Sequence, residues 1–146
     1  MLHFRLADNA DTHLVAILIA RLFEEVGHTQ TAREIAEIFA AVENDDRHST
    51  LLAFDDEDAV GIITVSESIA FYAGGEIGVI NELYVLPDWR SEGVGKLLLD
   101  QVKEIALARG WRRLEVTTPG EAYDRTIRFY EREGFFPIGP RMKWEV

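Results

Sequence analysis

Arg90, Gly93 and Gly95 stand at the spacing R-x-x-G-x-G, with Lys96 directly behind them. They lie between a strand-like run, Glu82–Leu86, and an apolar series at Val94, Leu97, Leu98, Val102, Ile105 and Ala106 that falls on one face of a helix. Pro87 cannot donate a ladder hydrogen bond, so the strand stops there, and Gly110 marks the end of the helix. This arrangement suits an anion. The first N–H groups of a helix have no intrahelical partner and sit at the positive end of its macrodipole. Two glycines let the backbone approach a ligand with no Cβ in the way. The guanidinium of Arg90 matches phosphate oxygens. A phosphate or pyrophosphate is the natural guest. Two common phosphate loops do not fit. A Walker A loop needs glycine where Arg90 stands and Ser or Thr where Leu97 follows the lysine, and a Rossmann fingerprint needs glycine in place of Leu98.

The pattern resembles the acetyl-coenzyme A signature of the GNAT superfamily of N-acetyltransferases, [QR]-x-x-G-x-[GA]. The lead-in Glu82–Arg90, ELYVLPDWR, is similar to that family's fourth strand. Ile127–Phe135, IRFYEREGF, is similar to its late helix with the FYE-x-x-GF ending. The resemblance implies an α/β fold: a mixed, mostly antiparallel sheet splayed between strands 4 and 5 and flanked by helices. Coenzyme A would lie in that wedge. The backbone of Leu83, Tyr84 and Val85 would pair with the pantetheine amides, as a strand adds to an open edge. The N–H groups of Glu92, Gly93, Val94, Gly95 and Lys96 would hold the pyrophosphate, with Arg90 contributing and Ser91 either capping the helix or touching phosphate through its hydroxyl. A backbone N–H of the fourth strand, that of Val85 in first place, would polarise the thioester carbonyl. Tyr130 matches the family's general acid, which protonates the departing sulfur. Glu82 is the candidate base, directly or through water.

The implied activity is acetyl transfer from acetyl-CoA to a primary amine that attacks the thioester directly. A small cationic amine, a peptide or protein N-terminus, and a different acyl group all stay open, as does a non-catalytic acyl-CoA-binding domain. Two residues depart from the family pattern. Glu92 puts a negative charge beside the expected pyrophosphate, and Tyr123 stands where many members carry a coenzyme-binding asparagine.

The remaining elements must position this segment. Leu2–Ala7 reads as a first strand, with Asp8 or Asp11 able to cap the helix His13–Val26. Thr31 and Glu34 have capping-box spacing ahead of a second helix, Ala32–Val42. Thr50–Phe54, Ala59–Ser66 and Glu76–Leu86 read as an antiparallel meander. Arg112–Thr117 follows the central helix and should run parallel to the fourth strand. Thr118–Ala122 reads as a loop, Tyr123–Arg132 as a last helix, and Phe135–Pro137 and Arg141–Glu145 as final strand pieces. Phe71, Tyr72 and His28 are candidates to line an acceptor pocket, with packing the plainer alternative.

The 146 residues suffice for one domain, 1–146. The absence of cysteine excludes disulfides, thiolate metal sites and cysteine nucleophiles, and the histidines have no ligand spacing, so no metal is expected. Neither a signal peptide nor an apolar run of membrane-spanning length is visible, which fits a cytoplasmic protein without membrane partners. Met1–Gly75 holds 14 acids and 4 bases, a net −10, whereas Glu76–Val146 holds 12 and 11, a net −1. No basic stripe exists for nucleic acid. The acidic half supplies solubility or a field that draws cationic substrates. A homodimer is left open, with the terminal MKWEV as a strand that could pair with a neighbour.

Overall fold

Local signals set most of the element boundaries. Thr31 caps the second helix as its spacing requires: its hydroxyl accepts from the Glu34 N–H at 3.2 Å, and the Glu34 carboxylate accepts from the Thr31 N–H at 3.2 Å. Gly27 and Gly110 close two other helices in the left-handed conformation, at φ +82° and +70°. The computed structural model describes residues 1–118 and 124–146. In order they form β1 (Leu2–Leu6), α1 (Thr12–Val26), α2 (Ala32–Val42), β2 (His48–Asp55), β3 (Asp58–Ala70), β4 (Gly75–Val85), α3 (Val94–Arg109), β5 (Leu114–Val116) and α4 (Asp124–Arg132). The chain divides into two compact units, Met1–Glu115 and Val116–Val146.

The sheet runs β1-β2-β3-β4-β5, and the successive pairs from β1 to β4 are antiparallel. On one face Leu52, Phe54, Ile62 and Tyr84 pack against Val15, Leu18 and Ile19 of α1 and Ile35 and Phe39 of α2. On the other, α3 lies close over β3 at Gly61, where a Cβ would meet Leu98 at 3.1 Å, Val94 at 3.2 Å and the Tyr84 carbonyl oxygen at 3.2 Å. Gly61 thus brings the first turns of α3 down onto the strand pair that carries the candidate site. Val94, Leu98, Leu99 and Val102 are fully buried there.

Asp11 does not cap α1. Its carboxylate is buried, accepts from the Asp8 N–H and forms a two-pronged pair with Arg5 at 2.6 and 2.9 Å. The hydrogen bonds from Arg5 hold its carboxyl below the usual carboxylate range. A second correction concerns the C-terminal end: Phe135–Pro137 and Arg141–Glu145 are not strands. Pro137 and Pro140 lack donors, Gly139 sits at φ +133°, and Phe136, Met142 and Trp144 are exposed rather than packed on a sheet face. Most of the expected Thr118–Ala122 loop lies outside the described residues, as does Tyr123. Among the described residues no helix is long and apolar enough to cross a membrane, and no group of three or more His, Asp or Glu side chains could hold a metal.

Candidate active site

The site is built on a break in the ladder between β3 and β4. Thr64 pairs with Glu82, but Val65 pairs with Ile80, so Asn81 is an extra residue with no partner opposite. This is a β-bulge, which bends a strand and turns its side chains. Adjacent residues of β3 point to opposite faces. Ile80, across from Val65, therefore joins the α3 side, and Glu82, across from Thr64, joins Tyr84 on the α1 and α2 side. Asn81 donates from Nδ2 to Ser66 Oγ at 2.7 Å, which anchors the bulge.

Glu82 is largely buried. The Thr64 hydroxyl donates to Glu82 Oε1 at 2.5 Å and accepts from the Glu82 N–H at 3.0 Å. Burial pushes the Glu82 carboxyl above its usual range, while the Thr64 hydrogen bond and the nearby His28 pull it partly back. His28 lies in the connection between α1 and α2 and sets its ring edge-on to Phe23, 5.0 Å between centroids. Of the three suggested acceptor-lining residues it is the one beside Glu82. Phe71 and Tyr72 sit at the far end of the β3–β4 hairpin, seven residues from Glu82 along β4, or about 23 Å of strand. Phe71 is bare, and the Tyr72 hydroxyl donates to Glu115.

The resemblance places the pantetheine arm along the outer edge of β4. Leu86 N–H donates to Val60 O at 2.9 Å, so Leu86, Tyr84 and Glu82 turn their backbone groups toward β3. Leu83 and Val85 turn theirs the other way. On that side Arg112 N–H donates to Glu76 O and Gly78 N–H donates to Arg113 O, at 2.7 and 3.1 Å. The two bonds advance together along both segments, so β5 is parallel to β4. From Gly78, the three residues of β5 can follow β4 only as far as Asn81. Leu83 and Val85 run on beyond it.

Past β4, Pro87–Trp89 makes a single 3-10 turn and α3 begins after Gly93. Its first intrahelical bond runs from Leu97 N–H to Gly93 O at 3.0 Å, so the N–H groups of Val94, Gly95 and Lys96 stand ahead of the ladder. Ser91 and Gly93 both take positive φ, +70° and +81°. Alternating left-handed residues of this kind turn successive N–H groups toward one side and favour anions. Ser91 makes no cap, since Gly93 holds that position without a side-chain bond. Glu92 is exposed.

Arg90, which the resemblance assigns to the pyrophosphate, makes its contacts with α1 and the end of β4. Its guanidinium forms a two-pronged pair with Glu25 of α1 at 2.8 and 3.0 Å, its Nε donates to the Val85 carbonyl at 2.9 Å, and it lies 5.3 Å from the Tyr84 ring centre. It ties α1 to the outer edge of β4. Lys96 pairs with Asp100 one turn on. In the second unit Tyr130 is buried on α4, its ring edge-on to Phe129 and Phe135 at 5.1 and 5.3 Å. Burial raises its phenol, which keeps the hydroxyl protonated.

Comparison with known proteins agrees with this fold. The Acetyltransferase (GNAT) family profile matches residues 12–135. An uncharacterized N-acetyltransferase of Archaeoglobus fulgidus is 30% identical over 111 residues, 75% of this chain and 74% of that one. An aminoalkylphosphonate N-acetyltransferase of Salmonella typhimurium is 33% identical over 131 residues, 90% of this chain and 82% of its own. A predicted acetyltransferase from Clostridium acetobutylicum, solved with acetyl-CoA, superposes with a TM-score of 0.84 at 16% identity, covering 99% of this chain and 96% of that one. That last likeness speaks for the fold.

Proposed function

This chain belongs to the Acetyltransferase (GNAT) family, and from that membership we propose that it moves an acetyl group from acetyl-CoA to the primary amine of a small cationic molecule. Residues 1–146 act as one catalytic domain in this reading. Glu82 carries it: a largely buried carboxylate, raised by its surroundings, on a strand whose outer edge outruns its neighbour.

An alkylamine is mostly protonated near neutral pH, with a reference pKa of about 10. Glu82 takes that proton, and its raised carboxyl narrows the gap between the two groups. The free amine then attacks the thioester carbon, the C–N bond forms, and the C–S bond breaks. The Val85 N–H on the outer edge faces the developing oxyanion. Tyr130 passes its proton to the leaving thiolate, and the second proton that the amine nitrogen loses as the amide forms restores the phenol. Leu83 and Val85 pair with the pantetheine amides, Tyr84 supplies the intervening backbone of that strand, and the N–H groups from Glu92 to Lys96 receive the pyrophosphate. Support for a small acceptor comes from the 33%-identical relative, named for an aminoalkylphosphonate substrate. The acidic first half favours a cationic one.

Release of free thiol from acetyl-CoA tests this over polyamines, aminoglycosides, aminoalkylphosphonates and peptide N-termini. Turnover of a cationic small amine is expected, and Tyr130→Phe should lower kcat by about 10²–10⁴-fold. Turnover of peptides alone would overturn the acceptor assignment. Full activity of Tyr130→Phe would remove the tyrosine as acid.

A further inference from the structure

Thr64 has no assigned part in acetyl transfer, yet its single hydroxyl makes both of the polar contacts that fix Glu82. It accepts from the Glu82 N–H at 3.0 Å and donates to the Glu82 carboxylate. The first contact lies at the bulge, where the backbone register slips between Thr64 and Val65. The second occupies Oε1. No hydrogen bond to Oε2 is made among the described residues. Thr64 is itself 5% exposed and cannot exchange this role with water.

We propose that Thr64 is the positioning residue of the acceptor half of the site, pinning the main chain and one carboxylate oxygen of Glu82 together so that Oε2 is held ready for the incoming ammonium. This rests on the reading of Glu82 as the base. A serine could supply the same hydroxyl, but the γ-methyl of threonine restricts χ1 and keeps that hydroxyl turned to Glu82. Valine keeps the shape and removes the donor and acceptor.

Several charges face this corner. His28 approaches Glu82 from the α1–α2 connection. His48 on β2 is bonded to Thr50, which lies opposite Thr64 on the same face, and its ring is lowered by burial. Arg21 and Glu25 of α1 and Arg90 surround the neighbouring Tyr84. None of them bonds to the Glu82 carboxylate, so among the described residues loss of the Thr64 hydroxyl leaves no substitute donor in place.

The test compares Thr64→Val and Thr64→Ser by two measurements. Titration of the Glu82 side-chain carboxyl by ¹³C NMR, without substrates, should shift upward by roughly one pH unit in Thr64→Val, because a hydrogen bond to the charged form is gone. Thr64→Ser should stay near the wild type. In thiol-release assays, Thr64→Val should move the acid limb of kcat/KM for the amine to higher pH. It should also lower the plateau kcat about tenfold or more, with KM for acetyl-CoA unchanged. If Thr64→Val does not fold, Thr64→Ala supplies the arm without a hydroxyl. An unshifted Glu82 titration in the folded variant lacking the hydroxyl would overturn the proposal, and so would a shift of equal size in Thr64→Ser. Failure of the base reading would look different: the NMR shift would appear, while Glu82→Gln kept wild-type turnover.

Discussion

A carboxylate raised by burial has consequences for both stability and rate, and at Glu82 the two run in opposite directions. Its folded-state pKa lies above the unfolded value. The native state therefore holds more protons between those two values, and stability falls as pH rises through that window. Near neutral pH the ionised Glu82 is a cost that the fold carries. Glu82→Gln removes the charge and keeps an oxygen for the Thr64 hydroxyl. Its thermal midpoint at pH 7 should equal or exceed that of the wild type, whereas kcat/KM for the amine should drop by about 10²–10⁴-fold. The wild-type profile should also show an acid limb above the ordinary carboxylate range, absent from the variant. Scanning calorimetry and a pH–rate profile check the pair. A variant that lost stability in proportion to activity would make Glu82 a structural residue.

At the scale of elements, the junction of β4 with the segment entering β5 sets where the open edge begins. Gly78 is the contact point. Its N–H bonds to Arg113 O, and a Cβ built on it would lie 2.3 Å from the Trp111 ring and 2.8 Å from a Leu114 methyl. The ring cannot swing aside freely, because Trp111 Nε1 donates to Glu67 Oε1 at 2.6 Å, and Glu67 is the partner of Gly78 across the ladder. Gly78→Ala should cost roughly 1–3 kcal/mol through overpacking, measurable by denaturant unfolding. An unchanged midpoint would mean that the ring repacks at no cost. Such contacts also mark what the sequence left unread. The R-x-x-G-x-G loop, the Thr31–Glu34 capping box and the succession of strand, turn and helix depend on residues a few positions apart, and all were legible. The bulge was not. Nothing around Asn81 announces it, because it exists only against Thr64 and Val65 of another strand. Arg90 was legible as a charge near the helix tip, but its carboxylate partner Glu25 is 65 residues away. The final strand pieces at Phe135–Pro137 and Arg141–Glu145 were expected from the residues alone, and a short strand-like run does not guarantee an edge to pair with.

Charge belongs to the whole molecule, and its uneven division supports the last expectation. The first 75 residues carry a net −10 and include Glu25 and Asp11, both paired with arginine, and many acids in exposed turns and helix faces. The remaining residues are nearly neutral at −1. Glu82 and His28 lie in or beside elements packed by that acidic portion. A field summed over many exposed acids raises the local concentration of cations and repels anions. It is screened over about 8 Å at 0.15 M salt and about 30 Å at 0.01 M. KM for a polyamine should therefore rise several-fold as salt increases between those concentrations, with kcat little changed. An acceptor of zero net charge should show a flat KM. An aminoalkylphosphonate of net negative charge should show the opposite slope, because salt relieves its repulsion. Initial-rate measurements with the three acceptors at saturating acetyl-CoA separate these cases. Equal slopes for all three would mean that the acids serve solubility and that acceptor choice lies in contacts close to Glu82.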